Sequence, residues 1–377
     1  MEPYPFDLYD WATITPLFEA LLKSSVPQGG FADWLAQWND LDIAVYDAWT
    51  DLKRRSYSNT TDVAAEHAYQ VYTREIFSTY LGLTNALATR ALAFQPEPPK
   101  HSDRQLWRRW RNQTALFNPE SLVLQAEISE RESGYRELTR HIEQLSGGDA
   151  VASWMERRME LNELMLRLLK LQQELARISG FPTFLAYRWR ELNRLDFSIE
   201  ECQTFHRIVE QVVVPLVTQL RAADGHVAEW PTVNDTTLLG DGVERILSNV
   251  DTAFGSIFHT MRPDYLGLGA RPGKAVTSEQ WFFPHVGMPY LHVASANPAT
   301  LLHESGHAIH AYLSFQIQRL LWNFSAPEEF QEFVAIGMDM LCWPYYEQSQ
   351  GGFSTETESA AARQRVLQYY LEAVAEA

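Results

Sequence analysis

The stretch "NPATLLHESGHAIH", residues 297–310, places three histidines and one glutamate within eight positions of an otherwise apolar segment. Asn297 is a residue type that caps helix N-termini, and Pro298 is favoured at the first helical position. The apolar run that follows predicts a helix beginning here. Its histidines either hold a metal ion or are polar residues of an ordinary helix.

The spacing within "HESGH" favours the metal ion. Residues four apart on a helix are neighbours, so His303 and His307 can present ring nitrogens to one ion. Glu304 lies one residue further round, where its carboxylate would miss the ion but reach a water that the ion activates. His310 lies about 10 Å along the axis from His303, too far for the same ion. We interpret His310 as a supporting or substrate-facing residue, with a packed core histidine as the alternative.

A third ligand is expected from the next predicted helix, "SAPEEFQEFVAIGMDMLCWPYYE", residues 325–347. Ser325 and Glu328 match a capping box, which explains them structurally. Glu332 lies among apolar residues, where an unpaired carboxylate is costly, and a metal ion would be its partner. Asp339 lies two turns further on the same face. It is either the partner of the outer nitrogen of a ligand histidine or a surface aspartate.

The remainder of the chain predicts a mostly α-helical fold with one small β-sheet next to the helix of the metal motif. Helical periodicity extends over residues 11–22, 64–92, 119–145 and 150–179, and the last two segments are expected to form an antiparallel hairpin. Glycine, proline and aromatic residues replace this periodicity between 264 and 295. We predict an N-terminal helical region, 1–195, followed by a catalytic region, 196–377.

The segment "PYLHVAS", residues 289–295, has the character of a strand. One hypothesis is that it binds a peptide backbone as an added strand, because it directly precedes the metal helix. Tyr290 and His292 are then candidate substrate-binding or supporting residues. The alternative is a small sheet that only supports the helix.

Composition narrows the classes of function. The formal net charge of −17 disfavours binding to nucleic acid or anionic membranes. The one basic cluster, residues 104–113, is explained as the solvated face of a packed helix. Cys202 and Cys342 have no partner motif, and neither a signal peptide nor an apolar run of about 20 residues occurs, so we expect a cytoplasmic location. The oligomeric state is left open.

With these motifs in hand, the chain resembles the oligoendopeptidase F and thimet oligopeptidase family of zinc metallopeptidases, and most closely its oligoendopeptidase F branch. The stretches that carry the resemblance are residues 187–216, "ARPGKA" at 270–275, "TLLHESGHAIH" at 300–310 and "EEFQEFVAIGMDMLCWPYYE" at 328–347. Their order and spacing make it specific.

The resemblance implies one zinc ion per chain, held by His303, His307 and Glu332, with Glu304 as the general base and acid. The family usually has glutamate where this chain has Asp339, which weakens the supporting role assigned to that residue. The implied fold is a mostly helical, two-lobed body with a deep channel that admits short unstructured peptides.

Family members continue well beyond the last of these stretches, so we expect this chain to be C-terminally truncated. Our leading interpretation is a zinc endopeptidase acting on short oligopeptides. A helical zinc carboxypeptidase is the nearest alternative, because it uses a similar motif and a downstream glutamate. A catalytically inactive zinc-binding fragment is the other.

Overall fold

The computed structural model describes residues 4–26, 30–100, 103–143, 147–223, 232–318, 320–324 and 326–356, with 360, 364, 368, 370–372, 374 and 375. They form two compact units. We call the described parts of 1–14, 26–70 and 203–377 the sheet unit, and those of 15–25 and 71–202 the helical unit. The predicted division into 1–195 and 196–377 differs in placing 26–70 with the N-terminal region, and it stays a prediction.

The elements of the described chain confirm a mostly α-helical fold with one small sheet. The helices are α1 Trp11–Lys23, α2 Phe31–Ser58, α3 Val63–Glu75, α4 Leu81–Phe94, α5 Arg104–Leu116, α6 Pro119–Glu143, α7 Gly147–Ile178, α8 Phe184–Glu191, α9 Ile199–Ile208, α10 Val214–Ala223, α11 Thr236–Val250, α12 Thr252–Met261, α13 Pro298–Ile317, α14 Leu321–Phe324 and α15 Glu328–Cys342. The strands are β1 Leu266–Leu268, β2 Ser278–Phe283 and β3 Met288–Val293. None of the described helices has the length and apolar character needed to cross a membrane.

The helical unit contains the predicted hairpin, formed by α6 and α7. Leu161, Leu168 and Leu171 of α7 are buried. On α5, Leu106 and Trp107 are buried, whereas Arg104 and Arg111 are exposed. The basic cluster is therefore the outer face of a packed helix, as its periodicity predicted.

The sheet of the other unit has the strand order β1-β3-β2, so β3 is its central strand. β1 runs parallel to β3 and pairs along Leu291–Val293, while β2 runs antiparallel and pairs along the whole of β3. Both hydrogen-bonding edges of β3 are thus occupied over 291–293. The hypothesis that this strand accepts a peptide as an added strand is wrong there, because its edges are already paired within the chain.

The two faces of β3 have different neighbours because side chains alternate along a strand. Leu291 and Val293 are fully buried in a core with Leu301 and Leu302 of α13. The sheet therefore supports the helix of the metal motif, which was the alternative interpretation of this segment.

The opposite face of β3 carries Tyr290 and His292, which stack on Trp281 of β2 with ring centroids 5.6 and 5.3 Å apart. The ring of Tyr57, from α2, meets His292 edge-on. This face is therefore an aromatic layer that α2 helps to cover.

The "ARPGKA" loop fastens the sheet to the end of α2. Lys274 is 6% exposed, and its Nζ donates to the backbone carbonyls of Gly267, Gly269 and Val293 at 2.7, 2.9 and 2.8 Å. Its neighbour Gly273, at φ 78°, accepts hydrogen bonds from the backbone and side chain of Thr60. We call Lys274 and these three carbonyls the Lys274 anchor.

Candidate metal centre

Helix α13 begins as the sequence predicts. The side chain of Asn297 accepts a hydrogen bond from the backbone of Ala299 at 2.9 Å, and Pro298 occupies the first turn. Ser325, predicted to cap the next helix, lies outside the described residues, and α15 begins at Glu328 after Pro327. These helices position the side chains of the motif.

Three side chains meet where α13 packs against α15. The rings of His303 and His307, one turn apart, have centroids 4.9 Å apart. Glu332 places one carboxylate oxygen 3.4 Å from Nε2 of His303 and the other 3.5 Å from Nε2 of His307. We call these three residues the metal cluster. Among the described residues, no other group of three histidine, cysteine or acidic side chains is arranged to hold an ion.

Gly306 sets the distance between the two helices. A Cβ atom at this position would lie 2.9 Å from Cα of Ala335 and 3.0 Å from Cβ of Met338, closer than such atoms normally approach. Only glycine permits this contact without a shift of one helix. The closeness allows the carboxylate of Glu332 to reach both rings.

His303 has a second partner that fixes its ring. Its Nδ1 lies 3.0 Å from Oδ2 of Asp339, a residue only 6% exposed. The hydroxyl of Tyr370 donates to the same oxygen at 2.5 Å. Burial lowers the pKa of His303, but the hydrogen bond and charge of Asp339 outweigh burial and raise it overall. In the neutral imidazole that donates Nδ1–H to Asp339, Nε2 carries the lone pair that a metal ligand needs.

Glu304 lies beside the metal cluster and is 8% exposed. Burial raises the pKa of its carboxyl to about 7; the nearby His303 opposes that rise, and the negative charge of Glu332 adds to it. The group can therefore exchange a proton near neutral pH. Burial also lowers the pKa of His307 to about 4, which keeps its imidazole neutral, the form that binds metals.

The donor set fits zinc. Two imidazole nitrogens and one carboxylate are ligands that zinc prefers, and the ligand atoms of His303, His307 and Glu332 lie within 4.8 Å of one another. In a tetrahedral site with bonds of about 2.0–2.1 Å, neighbouring ligand atoms lie about 3.3 Å apart. Oε2 of Glu332 lies 3.4 Å from Nε2 of His303 and Oε1 lies 3.5 Å from Nε2 of His307, so each carboxylate oxygen is close to this spacing from one ring.

The other residues predicted for the site have mixed positions. Asp339 is brought to His303, as one interpretation had it. His310 lies outside the metal cluster, and its ring meets the edge of Phe330 at 5.7 Å. Tyr290 and His292 lie in the aromatic layer facing α2, and no hydrogen bond or ring contact among the described residues joins them to the metal cluster.

Two residues near the site were missed by the sequence analysis. The sequence analysis assigned no role to Tyr370, because no local signal links it to Asp339, 31 residues earlier. Glu279 of β2 contributes to the raised pKa of Glu304, but it is bound to Lys53 at 2.6 Å. The alternation of β2 could have placed Glu279 on one face of the sheet, without identifying its neighbours.

The chain is similar in fold to solved peptidase structures. A protein assigned as an oligoendopeptidase F from Bacillus anthracis str. Ames matches with a TM-score of 0.85 and 16% identity, over 98% of this chain and 76% of that one. A second protein assigned as an oligoendopeptidase F, whose structure was solved at 3.1 Å, matches with a TM-score of 0.85 and 18% identity. The match covers 98% of this chain and 73% of that one. Pz peptidase A with an inhibitor matches with a TM-score of 0.84 and 17% identity, over 98% of this chain and 74% of that one. Neither a protein-family model nor a curated protein matches the sequence. The predicted oligoendopeptidase F fold is confirmed.

Proposed function

We propose that this chain is a zinc-dependent endopeptidase that hydrolyses peptide bonds in short oligopeptides. The observation that carries the proposal is a buried carboxyl, Glu304, with a pKa of about 7 beside three donor atoms spaced for one ion. The fold shared with solved peptidases supports the same class of reaction. The substrate class follows from the family resemblance, and a cytoplasmic location stays a prediction.

In the proposed mechanism, His303, His307 and Glu332 would hold a zinc ion. When bound, zinc supplies Lewis-acid activation of a water molecule and of the scissile carbonyl group. Glu304 accepts the proton that the attacking water gives up and later delivers it to the leaving amine. A pKa of about 7 suits both steps, because the carboxylate and the carboxylic acid are both accessible at neutral pH. Asp339 holds the Nδ1 proton of His303 and so directs Nε2 towards the metal.

The proposal is tested by measuring metal content and cleavage of an internally quenched peptide with blocked ends. The unmodified chain is compared with Glu304→Gln and with a control, Glu328→Gln, an exposed glutamate of α15. We expect one zinc ion per chain in all three proteins. Turnover should be lost only in Glu304→Gln, by about 10²- to 10⁴-fold, the usual contribution of general acid–base catalysis.

Other outcomes separate the alternatives. Cleavage that requires a free C-terminal carboxylate would indicate a carboxypeptidase. Zinc binding without turnover of either the blocked peptide or one with a free C-terminal carboxylate would indicate an inactive zinc-binding chain. A chain that binds no zinc would refute the assignment of the ligands.

A further inference from the structure

We propose that Tyr370 is a positioning residue of the metal cluster and acts through Asp339. This inference rests on the ligand set of the proposed function. Its basis is one carboxylate oxygen, Oδ2 of Asp339, which accepts the hydroxyl of Tyr370 at 2.5 Å and faces Nδ1 of His303 at 3.0 Å.

The environment of Asp339 makes this shared oxygen decisive. The residue is 6% exposed, and its other oxygen, Oδ1, is buried and accepts no hydrogen bond from the part of the chain that the structure describes. The orientation of the carboxylate therefore depends on the two bonds at Oδ2. Without the hydroxyl of Tyr370, only the bond to His303 remains, and the carboxylate can turn together with that ring.

The residues next to Tyr370 are themselves anchored. Glu372 accepts hydrogen bonds from Arg221 of α10 at 2.8 Å and from Gln368 at 3.1 Å. Glu372 thus contacts α10, Tyr370 contacts Asp339 on α15, and Asp339 contacts a metal ligand on α13. Removing a group that hydrogen-bonds to a ligand histidine typically weakens metal binding by about 10- to 100-fold. Tyr370 acts one bond further away, so a smaller effect is expected.

The test is the zinc affinity of the full chain carrying Tyr370→Phe, measured by competition with a chromophoric chelator. We expect the dissociation constant to rise about tenfold, the low end of that range. The visible absorption bands of bound Co²⁺ should also shift, because the geometry of the ligand histidine changes. The control is Tyr312→Phe, whose hydroxyl has no hydrogen bond to the described residues; neither quantity should change.

A second background shows whether the effect passes through Asp339. In Asp339→Asn, adding Tyr370→Phe should change the zinc dissociation constant by less than about twofold, because coupled residues are not additive. Equal zinc affinities of Tyr370→Phe and the unmodified chain would overturn the inference, as would the same tenfold loss in both backgrounds. An unmodified chain that binds neither zinc nor cobalt would overturn the proposed function as well.

A milder variant covers the case in which Tyr370→Phe does not fold. Glu372→Ala removes the hydrogen bonds that Arg221 and Gln368 donate to this side chain, without touching the site. A rise of about threefold in the zinc dissociation constant would support the inference, as expected for a more remote partner. No change would overturn it.

Discussion

The Lys274 anchor and the metal cluster both contain polar side chains of the sheet unit, but the hydrogen-bonding groups of these side chains are used differently. The ammonium group of Lys274 donates three hydrogen bonds, one to each of three backbone carbonyls. In the metal cluster, Nε2 of His303 and of His307 face a half-exposed carboxylate, and their lone pairs converge. A polar group whose bonds are satisfied within the chain stabilises the fold. Converging lone pairs are a binding site.

The largest expected effect concerns the metal cluster. His307→Ala removes a ligand and should weaken zinc binding by more than about 100-fold, the upper limit seen for residues that only support a ligand. Metal content after dialysis and competition with a chelator would measure it. His310→Ala is the matched control on the same helix, and it should change the affinity by less than about threefold. Equal losses would mean that His310 is a ligand.

Lys274→Met tests the Lys274 anchor by removing its only donor group. Three backbone carbonyls would lose their donor, and at about 1–3 kcal/mol for each unsatisfied group the unfolding free energy should fall by about 4 kcal/mol. Urea denaturation would measure the loss. Zinc affinity of the folded variant should stay within about twofold. Lys23→Met, at a surface pair, should cost at most about 1 kcal/mol. A Lys274→Met chain of unchanged stability would contradict the assigned role of the anchor.

Asp47 is intermediate between the two cases, because it is a buried carboxylate whose hydrogen bonding is incomplete. It accepts the hydroxyl of Tyr4 at 2.8 Å, but its contact with the backbone of His285 is 3.5 Å long. Burial raises the pKa of its carboxyl to about 6. A raised pKa in the folded state stabilises the protonated form, so this contribution is present below about pH 4 and is lost as the pH rises through 6.

The unfolding free energy of the unmodified chain should therefore fall, relative to Asp47→Asn, by about 2 kcal/mol between pH 4 and pH 6. Denaturation curves at several pH values would measure it. Parallel pH profiles of the two proteins would show that the partners of Asp47 satisfy its charged form.

The smallest effect concerns the contact that forms the metal cluster. Gly306→Ala places a Cβ atom against the backbone of Ala335, and such overpacking typically costs about 2 kcal/mol. Zinc binding should weaken as well, because α15 carries Glu332. Gly337→Ala on α15 is the control: its Cβ would meet nothing within 4 Å, and alanine should add up to about 1 kcal/mol of stability. If Gly306→Ala behaves like Gly337→Ala in thermal melts and zinc titrations, the close contact is not required.

Local patterns predicted the parts of the site that are encoded locally. Asn297 and Pro298 predicted the start of α13, and the four-residue spacing predicted that His303 and His307 share one face. Glu332 was identified because nothing else explained a carboxylate among apolar residues. The structure brings it to both histidines.

What the sequence could not predict depends on contacts between distant residues. The alternation of side chains along a strand puts Tyr290 and His292 on the same face. It does not predict which element packs against that face, because this depends on where α2 lies in the folded chain. The central position of β3 depends on β1 and β2, whose pairing no local pattern encodes. The "ARPGKA" stretch supported the family resemblance, yet the three carbonyls that bind Lys274 become neighbours only in the folded chain.

The bond between Thr60 and Gly273, separated by 213 residues, also has a consequence for folding during synthesis. Other partners of residues 26–70 come equally late: Lys53 pairs with Glu279, and Asn39 binds the backbone of Leu321. At a typical synthesis rate of about 5–20 residues per second, α2 must wait roughly 10–50 s for these partners. Residues 71–202 meet one another earlier, so the helical unit is expected to fold first. Meanwhile Trp38, which is buried in the finished protein and packs against Trp322, still lacks that partner, so α2 exposes apolar surface on the nascent chain.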